Sequence, residues 1–158
     1  MTQAHVTPTG SGAIPYLTIP SSGGQAAVDF YRLAFAAEEI FRTLAEDGER
    51  VMHSRLMING GLVFLSDEFP EYGGATDTAP IGVVLHLQVE DADAWWSRAL
   101  IAGCTPLTPL ADQFWGDRYG KVVDPFGHNW AIATRIREMT PEEMQVAMQE
   151  AFKQPPPA

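Results

Sequence analysis

The chain holds a single cysteine, Cys104, among its 158 residues, which excludes a disulfide framework and any zinc-ribbon spacing. A lone thiol directly after Gly103 reads as a small buried side chain, with a catalytic thiol as the alternative, and implies a reducing, cytoplasmic setting. Basic residues are few: 10 Lys and Arg against 20 Asp and Glu leave a net charge of -10. That balance argues against nucleic acid or an anionic membrane as a partner. It would suit a cationic ligand, or serve solubility alone. No apolar run reaches membrane-spanning length, and the opening MTQAHVTPTGSG lacks the basic and apolar regions of a secretory signal. A phosphate-cradling glycine loop, a CxxC pair and a Ser-His-Asp order are also missing, so nucleotide binding and nucleophilic hydrolysis have no support.

What is present is a pattern that runs twice. Residues 1–12 are rich in Thr, Gly, Ser and Pro and are expected to be disordered. Ile14–Ile19 alternates as a strand, and Ser21-Ser22-Gly23-Gly24 supplies a turn and a candidate helix cap. Gln25–Phe35 carries Ala27, Val28, Phe30, Tyr31, Ala34 and Phe35 on one helical stripe. Three strands are expected at Glu38–Leu44, Val51–Ile58 and Gly61–Ser66, with Asn59-Gly60 as a hairpin turn. After a Gly, Pro, Asp and Thr-rich linker at 67–80, the order restarts. A strand at Ile81–Val89 leads through the cap Asp91 to a helix at Ala92–Ala102, stopped by Gly103. Strands near Pro106–Leu110, Arg118–Val123 and Asn129–Thr134 complete the second copy. Gly60–Ser66 lies over Gly127–Ala133, a glycine turn running into an apolar last strand in both. Thr140-Pro141-Glu142-Glu143 then opens a separate C-terminal helix with a capping box, expected to pack through Met144, Ala147, Met148, Ala151 and Phe152.

The densest stretch is Asp112–Thr134. It joins an aromatic loop, Gln113–Tyr119, to the turn Asp124-Pro125-Phe126-Gly127 and the closing strand. With the doubled strand-helix-strand-strand-strand order, DQFWGDRYG followed by DPFGHNW resembles the vicinal oxygen chelate superfamily. Glyoxalase I, extradiol dioxygenases and bleomycin-resistance proteins belong to it, and the likeness is greatest to its PhnB-like subset. The resemblance implies an α+β fold in which two βαβββ modules form a cupped mixed sheet. Module one would span 13–66, module two 81–135, and the C-terminal helix and disordered tail 136–158. A homodimer is implied as well. Metal-binding relatives place ligands on the first and last strands of each module. Those positions are matched here by Tyr16, Phe64, Val84 and Ala131. Three offer no donor and the fourth only a phenol, so no cofactor is expected. A divalent metal displaced to His86 is the alternative.

Alternation along the strands then sorts the side chains. Val83, Leu85, Leu87 and Val89 should meet the helices. The cup face would hold Tyr16, Thr18, Leu62, Phe64, Ser66, Val84, His86, Gln88, Asn129, Ala131 and Ala133, an apolar site with few polar points. His86 is the acid–base candidate, or a histidine satisfied by Gln88, Tyr16 or water. His53 is equally open to solvent or to the cup, and His128 is expected to be exposed or capping. Trp115 and Arg118 either close over a ligand or serve structure, Trp115 in a seam between modules and Arg118 on Asp112, Asp117 or Asp124. Of Trp95 and Trp96, at least one should be core. Asp67, Glu68 and Glu71 read as a solvated acidic linker. Two functions follow. One is a binding protein holding a small organic molecule. The other is an enzyme of lyase, isomerase or dioxygenase class working through His86 or Tyr16 as acid–base group, or through a displaced metal.

Overall fold

The computed structural model describes residues 10–72 and 82–153. Most of the expected disordered N-terminal segment, His5, residues 73–81 and the tail from 154 lie outside the described residues. The chain divides into two compact units, 1–81 and 82–158.

Unit one runs β1 (Tyr16–Ile19), α1 (Gly24–Phe35), β2 (Glu38–Leu44), β3 (Val51–Ile58) and β4 (Gly61–Asp67). The strands form a four-stranded sheet ordered β1-β4-β3-β2, with β1 parallel to β4 and the other pairs antiparallel. The hairpin between β3 and β4 turns at Asn59 and Gly60, both at positive φ (48° and 78°), as a two-residue turn matched to strand twist demands. Leu56, Ile58, Val63 and Leu65 are buried on one side of the sheet, and α1 buries Ala27, Val28, Phe30, Tyr31, Ala34 and Phe35. Tyr31 and Phe35 stack at 6.1 Å, and Phe30 meets both edge-on.

The serines ahead of α1 do not cap it. Gly23 is the N-cap residue and makes no side-chain bond. The acceptor comes instead from Asp67, at the end of β4. Its Oδ1 takes the Gly24 N–H and its Oδ2 the Val51 N–H, both at 2.7 Å. Asp67 is therefore not a solvated linker residue but 1% exposed. A carboxylate at a helix N-terminus satisfies a donor the helix itself cannot and meets the positive end of the dipole. Glu68 and Glu71 are engaged as well, by the Ser21 N–H and the Arg50 guanidinium.

Unit two repeats the order: β5 (Leu85–Gln88), α2 (Ala92–Ala102), β6 (Thr105–Asp112), β7 (Asp117–Val123), β8 (Asn129–Arg135), then α3 (Pro141–Ala151). Its sheet is ordered β5-β8-β7-β6, again with only the first pair parallel. β5 is shorter than its apolar pattern suggests. Leu85 already pairs with Trp130 near the start of β8, so Val83 and Val84 precede the strand and are exposed. Asp91 caps α2 through the Ala94 N–H, and Gly103 ends it at φ 123°. Neither Trp95 nor Trp96 is fully buried. Arg98 lies over Trp95 at 4.6 Å, while Trp96 packs so closely on Gly120 that a Cβ there would come within 2.7 Å of its ring.

The DPFG turn is a second buried carboxylate. Asp124 Oδ1 accepts from the Phe126 and His128 N–H groups, and Oδ2 from Trp130 Nε1. His128, expected to be exposed or capping, is buried at 4%, drawn in by the turn that Asp124 closes. Cys104 is buried as expected, and burial, with the nearby Asp124 charge, pushes its thiol up to about 12. The capping box on α3 forms in both directions, Glu143 N–H to Thr140 Oγ1 and Thr140 N–H to Glu143 Oε2. No residue of α3 is fully buried; Met144, Ala147 and Ala151 are half-buried, and Phe152 just after it meets Phe114 edge-on at 6.3 Å.

Candidate functional site

Cross-strand register fixes which side chains share the face of sheet one opposite α1. Tyr16 pairs with Phe64, Thr18 with Ser66, Arg55 with Phe64 and Met57 with Leu62, while Thr43 pairs with His53. Paired residues point to the same side of a sheet, so Tyr16, Thr18, Leu62, Phe64 and Ser66 stand on that face with His53 and Arg55. His53 is thus a site residue that alternation alone left undecided. What decides it is the Arg55–Phe64 pairing, a long-range fact invisible in a local pattern.

These side chains form a connected row. Tyr16 Oη lies 2.8 Å from His53 Nδ1, and Arg55 Nε donates to His53 Nε2 at 3.2 Å. The His53 ring meets Phe64 edge-on at 5.0 Å and leans on Tyr16 and Phe41 at 5.5 and 6.0 Å. The Arg55 guanidinium lies over Phe41 at 4.8 Å and Phe64 at 5.6 Å, within cation–π range. Tyr16 is 52% exposed, so the row ends on an open phenol. Partial burial, then the Arg55 charge, lower the His53 pKa and favour the neutral ring. The charged residues on this face are Arg55 and, at its end beside Met57, Glu38. The local charge is therefore basic at the centre, against the acidic sign of the whole chain.

The matching face of sheet two is built differently. His86 pairs with Ala131 and Gln88 with Ala133, and across β8 these meet Lys121 and Tyr119. His86 Nε2 lies 2.9 Å from Gln88 Oε1, and its ring stacks on Tyr119 at 6.2 Å. Burial raises the Tyr119 pKa, keeping that phenol protonated. Trp115 meets Tyr119 edge-on at 5.5 Å and extends the ring row. The aromatic loop that carries Trp115 is a stitched turn. Gly116 N–H bonds to Gln113, the Gly116 carbonyl takes the Ile136 and Arg137 N–H groups, and the Trp115 carbonyl accepts from Arg135. Asn129 lies at the start of β8, paired with Val123.

Arg118 stands apart from both faces. It pairs with Thr134, whose hydroxyl bonds the first amide of α2, so Arg118 stands on the helix side of the sheet. There it forms a forked pair with Asp93 on α2 and a further bond to Asp112. Of the expected partners, Asp112 is found. Asp117 is paired with Arg135, and Asp124 with its own turn.

A family model described as the glyoxalase/bleomycin resistance protein/dioxygenase superfamily matches residues 13–132. The chain belongs to that superfamily. Protein Rv0887c of Mycobacterium tuberculosis is 43% identical over 139 residues, covering 85% of this chain and 80% of its own. Protein At5g48480 of Arabidopsis thaliana is 30% identical over 128 residues, 76% of each chain, and its crystal structure superposes with a TM-score of 0.63 over 80% of this chain and 99% of that one. A PhnB protein from Bacillus cereus reaches the same TM-score at 16% identity, covering 78% and 99%, which shows the fold alone.

Tyr16 stands opposite Phe64, and the residue standing opposite Ala131 in the same way is His86, not Val84. Of the positions matched by resemblance, Phe64 and Ala131 carry no donor atom for a divalent metal. Among the described residues, no three His, Cys, Asp or Glu side chains gather to hold a metal ion, and no helix is long and apolar enough to cross a membrane.

Proposed function

We propose that this superfamily member binds a small organic molecule on the open face of sheet one, without a divalent metal at the family positions. The observation that carries the reading is the linked row Tyr16–His53–Arg55 laid over Phe41 and Phe64. It offers aromatic surface, one fixed cation and an exposed hydroxyl on a single face. Apolar surface with few convergent polar groups is the usual make-up of a small-molecule site. In sheet two, His86 already has Gln88 as partner, and Ala131 and Ala133 present little to grip.

A fragment screen followed by two-dimensional amide NMR tests this. Expected are saturable shifts concentrated at 16, 53, 55 and 64, with ligand recovered unchanged. Shifts confined to other surfaces would overturn the proposal. The hydrogen-bonded phenol and imidazole also support the enzyme reading, since such a pair can pass a proton. Ligand consumption that Tyr16→Phe abolishes would replace binding with catalysis.

A further inference from the structure

The chemistry of three side chains sets the direction of the bonds in this row. A guanidinium has donors only, so the Arg55 Nε–H must donate, and His53 Nε2 must receive with its lone pair. A neutral imidazole with a bare Nε2 carries its proton on Nδ1. That proton is then given to Tyr16 Oη, 2.8 Å away. The phenol accepts from behind, and its own proton is not used within the row.

We propose that Tyr16 is the hydrogen-bond donor of this face, its hydroxyl proton turned outward to an oxygen acceptor of the ligand, a carbonyl or carboxylate on a flat apolar body. This rests on the proposal that sheet one holds the ligand, and adds the ligand's chemical class and the proton arrangement. Two further observations support it. Tyr16 is half exposed, while His53 and Arg55 behind it are partly covered. The fixed charge at the centre of the face is the Arg55 cation, which favours a neutral or anionic oxygen over an ammonium group. The acidic net charge of the chain points the other way, but it is spread over the whole surface, whereas Arg55 lies on the face itself. His53 and Arg55 are positioning residues, acting on the ligand through the orientation they impose on the phenol.

The experiment has one arm that needs no ligand. Ring nitrogens of ¹⁵N-histidine-labelled protein at pH 7.5 should show His53 protonated on Nδ1 and bare on Nε2, and Arg55→Met should mix the two tautomers. A proton on Nε2 in the unsubstituted protein would overturn the proton arrangement whatever binds. The second arm titrates benzoate and benzylammonium, followed by amide shifts at 16, 53 and 64. Benzoate should bind the tighter, and Tyr16→Phe should weaken it roughly tenfold, the worth of one hydrogen bond to a charged acceptor. A preference for benzylammonium, no benzoate binding, or an unchanged benzoate affinity in Tyr16→Phe would overturn the ligand class. If the tautomer holds and neither probe nor any screened fragment shifts these residues, the binding proposal itself falls. A thermal melt of each variant confirms that it folds, and the half-exposed Tyr16 makes Tyr16→Phe mild.

Discussion

The two units share a strand order and differ in how each is tied together. In unit one, Asp67 reaches across the chain, joining the end of β4 to the first amide of α1 and the first of β3, 43 and 16 residues away. In unit two, Asp124 closes bonds to residues 2, 4 and 6 positions on, all inside one turn and the strand after it. Both are buried carboxylates spent on backbone and indole N–H donors. One fixes tertiary structure, the other a local turn. The helices differ in the same sense, since α1 buries seven residues and α2 only Ala92 and Ala99. Unit one thus has a deep core behind its sheet and a linked polar row in front. Unit two has a shallower core and, in front, a ring row of His86, Tyr119 and Trp115 over Ala131 and Ala133.

The largest test of that contrast is Asp67→Ala. It removes two charge-assisted hydrogen bonds and strands two buried N–H groups, so urea unfolding should show a loss of about 3–5 kcal/mol. Asp124→Ala should cost less, about 2–3 kcal/mol, because the turn amides can open to water and only the buried Trp130 indole N–H loses this acceptor with no such exit. Equal losses would erase the distinction between a tertiary and a local tie. Gly24→Ala and Gly120→Ala come next, at roughly 1–3 kcal/mol each. A Cβ at 24 would lie 2.7 Å from Asp67 Oδ2, and one at 120 would press on the Trp96 ring and the Leu110 backbone. If Gly24→Ala is neutral, the Asp67 carboxylate is free to move and its tie is weaker than drawn.

The open faces should separate as clearly in binding. For a ligand on sheet one, Arg55→Met and Tyr16→Phe should each weaken affinity roughly tenfold. His86→Ala should change it less than about threefold, because the Gln88 bond leaves that imidazole with a partner of its own. A dominant His86→Ala effect would move the site to sheet two.

Which of these features could be read from the chain beforehand follows a physical line. Patterns that act within a few residues were legible: the stripe of α1, the Asp91 and Thr140 caps, the Asn59-Gly60 turn and the doubled order of elements. Pairings between distant residues were not. Asp67 looked like one more linker carboxylate, because nothing local says that its partners are amides 16 and 43 residues back. His53 could not be assigned a side without the Arg55–Phe64 register, and β5 begins later than its apolar run, leaving Val83 and Val84 ahead of the strand. Arg118 sits beside aromatic residues in sequence, yet strand parity turns it to the helix side. Its forked pair with Asp93 depends on α2 crossing behind that strand.

The smallest expected effect is a pH dependence that again distinguishes the faces. Burial, then the Arg55 charge, lower the His53 pKa in the folded chain below the ordinary histidine value. The folded state therefore binds a proton less readily than the unfolded state. Stability from this residue is intact above the unfolded value of about 6.5. It is lost as pH falls from there toward the lower folded value, below which the loss stops growing. Protonation also places an N–H on Nε2 against the Arg55 Nε–H, so the row opens on the same titration. The comparison is urea unfolding of the unsubstituted chain and His53→Gln at pH 7.5 and 5.5. His5, His86 and His128 are common to both proteins, so the difference between the two pH responses belongs to His53. The unsubstituted chain should lose slightly more stability on acidification. An equal loss in both would mean that His53 is as free to protonate in the fold as out of it. The neutral ring on which the donor role of Tyr16 depends would then be only one of its states near pH 6.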